Sequence, residues 1–151
     1  MPCGSESGIL GVRSGNMSIV HAELTLKNGA DVSDAQRGRI KADEVRQMTV
    51  QSIVDTGAWT MVINEEIRDK LGLLDQGFGE ATLADGQKDE YPMAGPLEVW
   101  WKNRRFNCDA LVISDAPDVL LGAIPLEGMD LTVNPLRELV GIHGDIVMHR
   151  V

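Results

Sequence analysis

The sequence is short of cysteine, of positive charge and of long apolar runs, and each shortage narrows what the chain can be. Two cysteines, Cys3 and Cys108, in 151 residues cannot build a disulfide framework. A single fold resting on its hydrophobic core, in a reducing, cytoplasmic setting, is the expectation. Fourteen lysines and arginines against 23 acids leave a formal charge of -9 and a pI near 4.7. Such a chain does not gather the positive field that nucleic acid or an anionic membrane surface requires. Its basic residues gather only at Lys102, Arg104 and Arg105, and loosely at Arg37, Arg39 and Lys41, where turn and loop charges are expected. The apolar stretch from Ile9 to Val12 is too short for a signal-peptide core or a membrane span. Residues 1–17, rich in Gly and Ser, therefore read as a flexible leader, and 18–151 as the folded domain.

Other chemistry is missing too. His21, His143 and His149 have no carboxylate or cysteine at ligand-like intervals, so neither a zinc site nor any other metal or cofactor is expected. Ser52 and Ser114 lack the Gly-x-Ser-x-Gly elbow of serine hydrolases. Cys108 runs into an apolar strand with no histidine near it in sequence, which suits a small buried hydrophobe better than a nucleophile.

What is present is strand-like. Val20, Ala22, Leu24 and Leu26 alternate with polar residues from Ser18 onward, and a second strand is predicted over Glu44 to Val54. Between them, Ala30 to Asp43 is polar and weakly patterned, which predicts a loop or a single helical turn. Asn64 as N-cap, Glu65 and Glu66 in the first turn and Gly72 after Leu71 predict a two-turn helix. Asp85-Gly86 marks the tip of a hairpin within Phe78 to Tyr91. Strands are predicted at Leu97 to Lys102, Phe106 to Ile113, Val119 to Leu121, Leu131 to Val133 and Glu138 to His143, with a short helix or turn after Gly122. Trp100-Trp101 puts one indole on each face of its strand. Roughly eight short strands and two small helical pieces make a mainly β domain.

One stretch resists that description. In "QSIVDTGAWTMVI", from Gln51 to Ile63, an apolar strand stops at Asp55, turns through Thr56-Gly57 and resumes as an apolar run. An aspartate there needs a partner or a purpose. By itself the string is weak, since an aspartate capping its own turn is common. Its companions are the hairpin tipped Ala84-Asp85-Gly86 and, later, Leu120-Leu121-Gly122 leading into a helix.

Strand, Asp-Thr-Gly-Ala, flap hairpin and apolar-apolar-Gly before a helix is the order of parts in retropepsin-like (clan AA) aspartic proteases, and the chain resembles the small single-domain prokaryotic members. "VDTGA", "LADG", the Tyr91-Pro92 and Ala94-Gly95-Pro96 pairing and "LLGAIPLE" carry the resemblance, which covers about Ser18 to His143. It implies a half-barrel with a flap and one or two short helices, assembled as a two-fold homodimer. It also implies peptide hydrolysis by a water activated between two carboxyls that share one proton, since like charges held side by side cannot both ionise. The chain has one such loop, and Asp109, Asp115 and Asp145 lack the Thr-Gly that follows Asp55, so the second carboxyl would come from a second copy.

By the same resemblance Asp55, Thr56 and Gly57 would be catalytic, and Ala58, Trp59, Leu83, Ala84, Asp85 and Gly86 would contact the peptide substrate. The terminal strands, Ile19 to Leu26 and Leu139 to Val151, would be candidates for the interface. The chain departs from the viral pattern at Trp59 and Thr60, where acids commonly meet the substrate backbone. Trp59 either lines a pocket or simply packs. Two other readings stay open: a dimeric peptide-binding module of this fold that cleaves poorly or not at all, and a structural β domain whose Asp55 only caps a turn.

Overall fold

The computed structural model describes residues 19–82 and 86–143. Leu83, Ala84 and Asp85, the proposed leader and the chain beyond His143 lie outside the described residues, as does most of the expected C-terminal interface strand. The described residues form nine strands and three short α-helices, a mainly β architecture as the sequence predicts.

Strand β1 (His21–Asn28) buries every second side chain and pairs antiparallel with β2 (Gln47–Val54), His21 opposite Ile53 and Lys27 opposite Gln47. The ring then continues through β7 (Val119–Leu121), β3 (Met61–Ile63), β6 (Arg104–Val112) and β5 (Lys88–Trp101), and β5 closes back on β1. Six strands therefore form a closed barrel. Among the described residues, strand β4 (Leu74–Thr82) pairs only with β5, extending that strand's first half into a hairpin that stands off the ring. Strands β8 (Leu131–Val133) and β9 (Leu139–Gly141) form a separate antiparallel pair.

Apolar burial falls into two clusters, and this division explains the sequence pattern. The barrel interior holds Leu24, Leu26, Met61, Ile63, Leu97, Val99, Val112, Leu121 and their neighbours. A second cluster lies on the opposite face of the same central strands: Val62, Leu111, Ile113 and Leu120 pack with Ala58, Ala81 and Ala116, against Tyr91 and Met93. Because β3, β7 and the end of β6 from Ala110 to Val112 are covered on both faces, they read as unbroken apolar runs rather than alternating ones. The outer cover comes partly from the hairpin, through Ala81, Tyr91 and Met93.

The helix α2 (Glu65–Leu71) has the predicted bounds: Asn64 accepts from the Ile67 amide, and Gly72 takes the left-handed conformation that ends it, φ 64°. Ala30 to Asp43 differs from expectation. It holds an eight-residue helix, α1 (Gly29–Gln36), and a 3₁₀ turn over Ala42–Glu44. Only Val32 of its apolar residues is buried, so no stripe announces it; distant partners hold it instead. Asn28 caps it through the Asp31 amide while its own amide nitrogen donates to the Leu71 carbonyl at 2.7 Å. Asp31 in turn grips Arg46 by two side-chain contacts, 2.8 and 3.0 Å, and accepts the Arg46 backbone amide.

Two further differences concern the second half of the chain. The second arm of the hairpin and the strand expected from Leu97 are one continuous strand, β5, irregular between Ala94 and Leu97. Arg104 is not a turn charge but a buried residue, 2% exposed, whose guanidinium donates to the Met129 and Asp130 carbonyls. Trp101 packs on the main core, while Trp100 bonds the Glu98 carboxylate and lies under the Lys27 ammonium.

The Arg46 guanidinium beside Asp31 holds its carboxyl below the ordinary value of 3.8, against the opposing pull of burial. A depressed carboxyl stabilises the fold above its unfolded value and stops doing so as pH falls through its lower folded value. Asp31→Asn should therefore cost about 1–2 kcal/mol in urea unfolding at pH 7, allowing for the exposure of Arg46. The gap between variant and wild type should close once the pH falls below the folded value.

Candidate active site

Strand β7 lies between β2 and β3, parallel to the first and antiparallel to the second. The segment joining β2 to β3, residues 55–60, must therefore cross the end of β7. Asp55 opens this crossing. Its amide donates to the Leu121 carbonyl at 3.0 Å, so the last residue of β7 fixes its height. Its carbonyl accepts the Ala58 amide at 3.1 Å, closing a tight turn. Its Oδ1 accepts the Gly57 amide at 2.9 Å, so the carboxylate is steered by its own loop. Asp55 is buried at 8% exposure, whereas Thr56 and Gly57 beside it are exposed.

The loop rests on the start of α3 (Ala123–Gly128). The Ala123 amide donates to the Ala58 carbonyl at 2.8 Å and the Ile124 amide to the Trp59 carbonyl at 3.1 Å. Between them, Gly122 lies so close that a Cβ would run into the Ala58 and Thr60 carbonyl oxygens. The backbone there is extended, φ -87°, so space rather than conformation demands glycine. Leu120-Leu121-Gly122 thus packs against this loop, Leu120 sharing the apolar cluster of Ala58. Thr60, 2% exposed, ends the crossing by donating its hydroxyl to the Asp109 carbonyl of β6 at 2.8 Å.

The match of an aspartyl protease family model over residues 40–123 takes in the loop, the hairpin, β7 and its glycine. The chain belongs to the aspartyl protease family. The closed barrel with its standing hairpin is accordingly the retropepsin-like fold that the motifs imply. No curated protein matches the chain.

Of the site residues that the sequence motifs imply, Asp55, Thr56, Gly57, Ala58 and Trp59 share the crossing loop. Gly86 stands in the hairpin with φ 88° and open space around its Cα, so conformation is what selects glycine there. Leu83, Ala84 and Asp85 fall outside the described residues. Trp59 is 40% exposed, and its indole N–H donates to the Glu80 carbonyl of β4 at 2.8 Å, linking loop to hairpin. That bond has no sequence signal, because its acceptor is main chain. Thr60 and Ser52, which donates to the Ala22 carbonyl at 2.8 Å, were likewise missed as supports; a hydroxyl within an apolar strand was the available sign.

Burial pushes the Cys108 thiol up to about 12, which disfavours the thiolate that a nucleophile needs. Among the described residues, no three His, Cys, Asp or Glu side chains gather as a metal set, and no helix is long and apolar enough to cross a membrane.

Gly122→Ala should lower stability by about 1–3 kcal/mol, as a methyl group forced against two carbonyls does. Thermal unfolding would measure that loss. Gly128→Ala serves as the comparison, because the nearest atoms to a Cβ there belong to the Phe106 side chain rather than to backbone carbonyls.

Proposed function

We propose that the protein is a homodimeric aspartic endopeptidase in which two Asp55 carboxylates, one from each copy, activate the water that attacks a peptide bond. The observation that carries this reading is the placement of Asp55. It lies buried at the head of a loop fixed from beneath by β7 and α3, a steered carboxylate on a rigid base inside an aspartyl protease family match. One carboxyl of the pair takes the water's proton while the other, protonated, polarises the substrate carbonyl. Since the chain supplies one Asp-Thr-Gly loop, catalysis requires two copies related by a two-fold axis. Thr56 and Gly57, exposed on the loop, are the residues such a partner would meet. The substrate is an extended peptide lying between the loop and the hairpin, with the hairpin residues 83–86 as its contacts, while Ala58, 0% exposed, supports the loop from within.

The structural-domain reading draws on the same Oδ1 to Gly57 bond, which is a turn cap in its own right. The two readings separate on one variant. Asp55→Asn keeps an oxygen that can accept the Gly57 amide, so a capping role would survive it. As a member of a catalytic pair the same change should lower peptide-library cleavage by at least about a thousandfold. Stability should stay level or rise, since a repulsive pair is removed. Full cleavage by Asp55→Asn would overturn the proposal. Wild-type specific activity should also fall on dilution, in step with dimer dissociation followed by sedimentation. Peptide binding without turnover would instead favour the non-cleaving module.

A further inference from the structure

Among the described residues, strand β4 has a strand neighbour on one side only, and most of its residues are exposed. A hairpin arm of this kind has few means of holding its height above the barrel. Besides the close approach of Gly79 to Leu111 of β6, two features tie β4 to the crossing loop. Ala81 of β4 and Ala58 of the crossing loop, 3% and 0% exposed, share the second apolar cluster. Beside them the Trp59 indole reaches across and donates to the Glu80 main-chain carbonyl at 2.8 Å. Trp59 is itself anchored at its base, its carbonyl accepting the Ile124 amide.

We propose that Trp59 is a positioning residue: a strap that locks β4 to the loop bearing Asp55, so that peptide held by the hairpin is held in fixed relation to the carboxylate. The assignment rests on the peptidase reading for its consequence in catalysis, but the strap itself is a property of the free protein. It also accounts for an aromatic at this place. The ring gives reach and the N–H gives direction, and neither demands a substrate contact.

Hydrogen–deuterium exchange on Trp59→Phe and Glu80→Ala tests it. Phenylalanine keeps the ring and loses the donor, so amide exchange should quicken about three- to tenfold within β4 and its partner segment Lys88–Tyr91, with β1, β2 and β6 unchanged. Glu80→Ala should leave exchange as in wild type, because the acceptor is the main chain. Unchanged exchange in Trp59→Phe, acceleration spread evenly over the barrel, or an equal effect from Glu80→Ala would each overturn the strap. On a peptide that the wild-type protein cleaves, Trp59→Phe should raise KM about three- to tenfold with kcat within about twofold, and an unchanged KM would overturn the positioning role. Absence of cleavage by the wild-type protein counts against the peptidase reading alone, and the exchange measurement still decides the strap.

Discussion

The amide of Asp55 bonded to the carbonyl of Leu121 is the contact on which the rest is built. It forms because β7 is inserted between β2 and β3, so that the chain leaving one must pass over the end of β7 to reach the other. The insertion requires β7 to be apolar on both faces, since one looks into the barrel and the other toward the hairpin. It requires a residue without a side chain immediately afterwards, where the loop's carbonyls press down. Val119-Leu120-Leu121-Gly122 meets both demands in four residues. What looks in sequence like two distant motifs, Asp-Thr-Gly-Ala and Leu-Leu-Gly, is one packed object in space.

The bonds around the crossing also explain how the loop holds a buried carboxylate in place. The polar groups of the crossing are largely satisfied within the subunit: two turn bonds from the loop itself, two carbonyls taken by the start of α3, and the Thr60 hydroxyl taken by β6. The loop therefore does not depend on a partner for its shape. Preorganisation of this kind places the cost of holding an acid in position on folding rather than on substrate binding.

Legibility in the sequence followed the range of the forces involved. The β1 alternation, the caps of α2 and the Asp-Thr-Gly turn are local, each fixed by residues within a few positions, and each was readable. Helix α1 was not, because its support comes from Arg46 and from a bond between Asn28 and Leu71, with little apolar stripe to mark it. Arg104 read as a turn charge because the carbonyls that receive it, at Met129 and Asp130, are far along the chain. The continuity of β5 was hidden by Pro92 and by Gly95-Pro96, residues that usually end a strand and here sit within an irregular stretch of one. Trp59 could be flagged as unusual, but its partner is a backbone oxygen, which no residue pattern encodes.

Among the described residues the outer side of β4 has no strand partner, which bears on a different matter, the behaviour of the protein in crowded solution. An unpaired strand edge is a template on which other chains can nucleate sheet growth. This edge is broken near its start, where the pairing slips between Asp75 and Phe78 and Gly77 turns the backbone to φ 86°, and farther along Glu80 stands directly opposite Glu90. A bend and facing negative charges make such an edge a poor seed for fibrils. The excess of acids over bases noted at the outset therefore acts in part as colloidal protection, concentrated where the backbone is most vulnerable.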